Sequence, residues 1–348
     1  MSMNKIFIII AFAIIANLGF TQTMVSASDR VDKSILRGLN YLASAQLPDG
    51  SYAGKNGKTT AIPSLVGMAF LSHGHTPTDE KFGPTINRCI DFVLNNVDKN
   101  TGYFGKPGNG RMYAHSITTL FLAEVSGMVD PERQKRIDEI LPKSVLVLLN
   151  AQKINKHPSH KGGWRYEPTS NDSDMSCSGW ALMALRSSRL NGGDVPSEAI
   201  ELAVKYVLGC FNQGVGGFGY QNQNQYFKTL TGAGILCLEL CGEHSHQYSY
   251  RASQYLLREY KSLSHEGYRF YGMYYTAQGL FQIGGESWKV FENWMYNYWI
   301  PKQASDGSWR GSGEEESQAY ATSMMILAFS VPYRQLPIYQ RDETVDEE

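Results

Sequence analysis

The chain has 348 residues, enough for one large domain or two ordinary ones. With 42% hydrophobic and 19% charged residues it is no disordered chain, and 32 basic against 33 acidic residues leave no electrostatic footprint for nucleic acid. Aromatic residues make up 12% of the chain and include 21 Tyr, which points to aromatic-lined grooves, while five Cys, an odd number, do not read as a disulfide framework.

Residues 1–27 read as an export signal. Lys5 supplies the n-region charge, Ile6 to Leu18 is apolar except for Asn17, and Val25-Ser26-Ala27 is a small-x-small cleavage site. The run is short for a bilayer span, and no other stretch approaches the ~20 apolar residues that a span needs. The expectation is a mature chain without a transmembrane segment, periplasmic or secreted, in an oxidising compartment.

From there the sequence repeats. A helix-like segment enters a Gly-plus-aromatic turn and leaves it as a second helix-like segment rich in small residues. The turns are Asp49-Gly50-Ser51-Tyr52, Thr101-Gly102-Tyr103, Gly162-Gly163-Trp164, Gly216-Gly217-Phe218, Glu266-Gly267-Tyr268 and Asp306-Gly307-Ser308-Trp309. Six turns at intervals of about 40–60 residues signal a repeat architecture. In the first segment Ile35, Leu39 and Leu42 share a face that excludes Arg37 and Asn40. The second segments are 60–71, 113–125, 176–187, 227–240, 271–283 and 318–329. They are apolar nearly all round, the mark of a buried helix. Amphipathic helices outside and apolar helices inside give an all-α fold, an outer ring of six around an inner ring of six, over residues 28–333. Gly at each turn suits a positive φ. Period-2 alternation is scarce, so strands are not expected. An open solenoid is the structural alternative. Residues 334–348 follow Pro332, contain Pro337 and end in Asp342, Glu343, Asp346, Glu347 and Glu348. They read as a solvated acidic tail.

The repeats resemble the α6/α6 toroid superfamily of terpenoid cyclases and protein prenyltransferases, over nearly all of residues 32–332. The cyclase repeat has a basic and a small residue, an aromatic–aliphatic pair, a Gln, then Gly-x-Trp. Repeat one reads Arg37-Gly38, Tyr41-Leu42, Gln46, Gly50-Ser51-Tyr52. Repeat six keeps Gln303 and Gly307-Ser308-Trp309, and repeat three keeps Gln152 and Gly163-Trp164. Repeats two and five lack the Gln. The likeness extends to exported single-domain bacterial proteins described as squalene-cyclase-like or prenyltransferase-like.

The resemblance makes the start of the third inner segment a candidate site. Class II cyclases place Asp-x-Asp-Asp there and use the middle Asp as the acid that protonates an alkene or epoxide. Here Asp172 and Asp174 match the first two Asp, and Met175 replaces the third. Oxidosqualene cyclases carry Asp-Cys-Thr-Ala-Glu-Gly there. This chain reads Asp174-Met175-Ser176-Cys177-Ser178-Gly179, with Ser178 replacing the Glu. Alkene protonation needs a strong acid shielded from water and π-faces to stabilise carbocations. Against this, an Asp just before a helical run is an N-cap, and the helix dipole favours its charged form. Both readings of Asp174 stand, with Asp172 as its partner in the first.

Aromatics gather at the starts of the inner segments. Trp164, Tyr166, Tyr113, Phe227, Tyr271, Tyr275 and Tyr320, with His115 beside them, are candidate substrate-binding residues at one mouth of the toroid. Such a mouth suits an isoprenoid, another hydrophobic ligand or a sugar chain. Helix-end packing is the plain alternative, and for His115 a structural role is the simpler one. Cys237-x3-Cys241 with His244 and His246 has metal-like spacing, but Cys on inner helices are usually buried apolar residues. No Asp-x-Cys occurs, which argues against a zinc protein prenyltransferase, and no thioester, Walker or His-Glu-x-x-His motif is present. No metal or cofactor is expected. Two functions remain open: a class II cyclase-like isomerase acting on an isoprenoid, and a non-catalytic toroid that binds a ligand, polymer or protein in its mouth. Polysaccharide cleavage is a weaker third. The chain has no room for the second α-barrel domain of triterpene cyclases, which weighs against the first.

Overall fold

The repeats are helix pairs. The computed structural model describes residues 27–55, 58–224, 228–243 and 246–340, so the export signal before Ala27 and the acidic end at 341–348 lie outside the described residues. The outer helices are α1 (Ala27–Ala45), α3 (Gly83–Asn95), α5 (Pro131–Lys153), α7 (Ser197–Gly209), α9 (Gln247–Glu259) and α11 (Gly285–Trp299). The inner helices are α2 (Ala61–Ser72), α4 (Arg111–Val125), α6 (Met175–Leu190), α8 (Lys228–Leu240), α10 (Arg269–Ile283) and α12 (Gln318–Ser330). One two-residue hairpin pairs Phe211–Asn212 with Gly217–Phe218.

The division into rings follows side-chain pattern. Helix α2 buries every residue from Ile62 to Ser72, whereas α1 buries Val31, Ile35, Leu39 and Leu42 and leaves Arg37 and Asn40 in solvent. Each inner helix packs on the next, and α12 packs on both α2 and α1, so the ring closes and the solenoid alternative falls.

The repeat residues explain the closure. Gln46 Nε2 donates to Gly50 O in its own turn (3.3 Å) and to Thr85 O on α3, the next outer helix (3.2 Å). Gln152 Nε2 does the same to Gly162 O (2.9 Å) and Ala199 O on α7 (2.8 Å). Gln303 Nε2 reaches Gly307 O (2.8 Å) and Ser34 O on α1 (2.8 Å), which straps the last repeat to the first. The turn glycines sit under the same helices. Gly307 has φ +91°, and a Cβ there would lie 2.3 Å from Arg37 O; Gly162 also has φ +91°, with Leu202 O 2.0 Å from such a Cβ. Only glycine combines that conformation with that approach. Gly267 is an exception to the sequence expectation, since its φ is not positive.

The C-terminal segment corrects the reading of 334–348 as a solvated tail. Leu336, Ile338 and Tyr339 are each 1% exposed. Ile338 N donates to Glu124 Oε2 on α4 (3.1 Å), Tyr339 OH reaches Leu327 O on α12 (3.4 Å), and Gln282 Nε2 on α10 reaches Tyr339 O (3.4 Å). Bonds to three inner helices place this turn across the axis, as a plug in the mouth formed by their C-terminal ends. Three apolar residues with no helical period gave no signal of this, because the surface that buries them exists only once the ring has closed.

Candidate functional site at the N-terminal mouth

The inner helices run parallel, so their first turns share the other mouth. Tyr113 on α4 reaches Ser176 on α6 (OH to Oγ, 2.6 Å), and Gly272 on α10 packs on Thr229 of α8. Below the first turns the ring is full. Trp180 of α6 stacks on Tyr274 of α10, with centroids 5.5 Å apart, and meets Tyr275 edge-on at 5.3 Å. Tyr274 and Tyr275 have no accessible surface at all, so no water-sized space adjoins them.

Asp174 sits at the centre of the site. It is the N-cap of α6, with extended φ and ψ, and its side chain has no exposed surface. Oδ1 accepts from Cys177 N (2.9 Å) and Ser176 Oγ (2.5 Å), and Oδ2 accepts from Arg165 Nη1 (2.8 Å). Every partner is a donor, which is the surrounding of a carboxylate rather than of a proton-giving acid. The same Arg165 approaches Asp172 (Nε to Oδ2, 3.3 Å) and donates to Tyr220 OH (2.8 Å). Asp172 also accepts from Gln221 Nε2 (3.2 Å) and is partly exposed. Thus the two sequence-matched carboxylates share one guanidinium.

Aromatic rings surround this clamp. The Arg165 guanidinium lies over the Tyr166 ring (4.2 Å) and near the Tyr220 ring (5.3 Å), and the two hydroxyls bond to each other. Tyr113 faces Tyr166 at 5.8 Å. Tyr113, Tyr166, Tyr220 and Tyr320 are partly exposed, while Tyr271 is nearly buried. Glu315 caps α10 by accepting from Phe270 N (3.1 Å) and Tyr271 N (2.9 Å), and burial pushes its carboxyl up. Beneath Asp172, buried Lys156 donates to Gly163 O; burial pulls its ammonium down to about 8, with Asp172 opposing.

Three candidates from the sequence are not at the rim. Trp164 is buried and donates from Nε1 to Leu148 O on α5 (2.8 Å). Its repeat equivalents do likewise, Trp309 to Trp299 O (2.9 Å) and Tyr52 to Leu42 O (3.1 Å), so it is scaffold. His115 is fully buried, accepts from Phe104 N at Nδ1 (3.4 Å) and donates from Nε2 to Ser144 O (3.1 Å). Other repeats serve the same turn N–H with Ser178, Thr231 and Thr322, and burial pulls the His115 pKa down to about 4. Tyr275 belongs to the filled core. Tyr113, Tyr166, Tyr271, Tyr320, Asp172 and Asp174 do come together, and Phe227 lies outside the described residues.

Sequence reasoning gave no role to Arg165, Tyr220, Gln221 or Lys156. A signal existed for Tyr220. It stands two residues past the turn aromatic Phe218, as Tyr166 stands two past Trp164, and extended backbone returns side chains to one side at that spacing.

The five cysteines are free, four of them buried, and burial pushes Cys89, Cys210 and Cys241 up to about 12. His246 caps α9 through Tyr248 N (3.1 Å), and His244 lies outside the described residues. Among the described residues no three His, Cys, Asp or Glu gather as a metal site, and no helix is long and apolar enough to cross a membrane.

No protein-family model and no curated protein matches the sequence. Solved structures do match. One is a type II terpene cyclase, MstE from Scytonema, in complex with geranylgeranyl dihydroxybenzoate (11% identity, 90% of this chain and 100% of that one, TM-score 0.62). Another is an inactive variant of an α-1,6-mannanase of Salegentibacter in complex with α-1,6-mannotetrose (12% identity, 86% and 99%, TM-score 0.60). A third is protein geranylgeranyltransferase-I of Candida albicans with GGPP (14% identity, 90% and 96%, TM-score 0.55). At these identities the likeness is one of architecture, and the chain has the α/α toroid fold found in terpenoid cyclases, protein prenyltransferases and glycosidases.

Proposed function

We propose that this is an exported, non-catalytic toroid that binds a sugar chain across the N-terminal mouth. The observation that carries the reading is the state of Asp174, which is inaccessible and held by three donors, one a guanidinium. Such a group neither protonates an alkene nor meets a ligand. Cleavage of a glycosidic bond would ask for two independent carboxyl groups, and Asp172 shares Arg165 with Asp174. What the rim does offer is ring faces beside hydrogen-bonding groups: Tyr113, Tyr166 and Tyr220 next to Arg165, Asp172 and Gln221. That mixture suits a polar ligand with apolar faces, laid over the mouth. Among the described residues, the packed rings of Trp180, Tyr274 and Tyr275 fill the space beneath the rim, which counts against a deep isoprenoid channel there.

Calorimetric titration with neutral manno- and xylo-oligosaccharides tests the reading. Binding should be lost on Tyr166→Ala and Tyr220→Ala. Lipid extraction of the purified protein followed by mass spectrometry supplies the opposing test, since a co-purifying isoprenoid would favour the cyclase-like alternative.

A further inference from the structure

A second cleft, of about 420 Å3, opens beside the mouth between repeats five and six. Arg269, the first residue of α10, forms one wall. Lys302 and Arg310 come from the chain between α11 and α12, and Ser264, Tyr298, Trp299, Ala304 and Trp309 complete the lining. Three cations meeting at one cleft is unusual in a chain whose net charge is -1.

Their charged groups are not held in close ion pairs. None of the three is in an ion pair among the described residues. Lys302 lies over the Tyr298 ring (4.1 Å) and Arg269 over the Phe270 ring (5.0 Å), contacts that hold the side chains without neutralising them. Arg269 Nη2 also donates to Arg310 O at 3.5 Å. A fourth guanidinium, Arg37, donates to Ala304 O at 2.8 Å on the cleft lining. Arg310 and Arg269 act at longer range on Asp306 and Glu315, but both carboxylates take their hydrogen bonds from other donors. Asp306 accepts from Ser308 N and Oγ, and Glu315 accepts from the first two N–H groups of α10.

We propose that this cleft is a binding site for an acidic sugar unit, a ring bearing a carboxylate or sulfate. Two planar guanidinium forks and an ammonium supply paired donors for an oxyanion. The space exceeds what a lone inorganic anion fills and matches a sugar ring with its substituent. Arg269 is two residues before Tyr271 at the mouth, so a chain lying over the mouth can present an acidic unit to the cleft. The site rests on its own residues, and its test separates it from the mouth reading.

The probe is oligogalacturonate, titrated calorimetrically into the full mature chain at low salt, beside a sulfated disaccharide, a neutral xylo-oligosaccharide and inorganic phosphate. The acidic saccharides should bind, with affinity falling as salt rises. Arg269→Ala with Arg310→Ala should weaken them roughly tenfold or more with little change in Tm, since charge-assisted bonds are lost from an exposed Arg310 and a half-buried Arg269 that stand in no ion pair. Tyr166→Ala should leave binding at the cleft in place even where it abolishes binding at the mouth. Absence of binding, equal binding of the neutral oligosaccharide, or an unaffected double variant would overturn the proposal. Phosphate binding as tightly as the saccharides would overturn the sugar assignment.

Discussion

Two buried carboxyls, one at each mouth of the inner ring, are kept in different ways. At the N-terminal mouth Asp174 is met by Arg165, Ser176 and the Cys177 N–H. At the C-terminal mouth Glu124 has only neutral partners, Ser187 Oγ and Ile338 N, and burial pushes it up to about 7. Glu124, raised by burial, lies under the plug, at the end remote from the residues that resemble a cyclase motif. The group that matches the motif by position has been given a cation. One fold thus closes one end by packing and keeps the other as a polar aromatic surface.

The packing side of this contrast is tested by removing residues 335–348. Leu336, Ile338 and Tyr339 leave the core, and each buried apolar side chain is worth ~1.5–3 kcal/mol. Denaturant unfolding should show a loss of several kcal/mol. A change below about 1 kcal/mol would mean that the segment merely rests on the ring.

At the opposite mouth the ion pair is the element to break. Asp174→Ala removes the cap and leaves Arg165 without its buried partner, so it should cost ~3–5 kcal/mol. Asp174→Asn keeps the cap and loses the charge, and it should cost less, ~1–2 kcal/mol. A cost near zero for Asp174→Asn would show that the charge facing Arg165 contributes nothing, and equal costs for the two variants would show the same of the cap.

Glu124 supplies a pH signature. Its folded pKa, about 7, lies above the ordinary 4.5. Folding is therefore unhindered by this group below pH 4.5, and stability is lost as pH rises toward 7, then levels off. Comparing wild type with Glu124→Gln across pH 4–8 should show the variant relatively more stable above pH 7, by ~2–3 kcal/mol. A pH-independent difference would contradict the assignment.

The smallest effect concerns the repeats themselves. His115→Thr copies repeats four and six and should change stability by less than ~1 kcal/mol, whereas His115→Leu strands the Phe104 N–H and should cost ~1–3 kcal/mol. Chemical denaturation of both variants distinguishes scaffold from site.

Much of this was legible in the sequence. The inner helices start and stop within three residues of the apolar segments, since a helix buried on every side has to be apolar on every side. Gln46, Gln152 and Gln303 are recognisable as the Gln of the cyclase-like repeat signature, and each bonds to an outer helix of the neighbouring repeat. What escaped was what depends on closure. Trp164 and His115 look like mouth residues because they precede or open inner helices, yet their partners lie on α5. Comparing each with its repeat equivalents, Trp309 and Thr322, would have assigned them to the scaffold. Arg165 directly follows the third turn's Trp164, but its role needed the spatial meeting of residues 165, 172, 174 and 220, which only the ring supplies.

The central claim is that the N-terminal mouth binds without catalysing, because Asp174 is an anchored carboxylate. The direct measurement pairs wild type with Asp174→Asn, each titrated with neutral oligosaccharides and each incubated with a squalene-like polyene while cyclised products are monitored. The account predicts oligosaccharide binding by both proteins and no product from either. Product formed by the wild type and abolished in Asp174→Asn would contradict it.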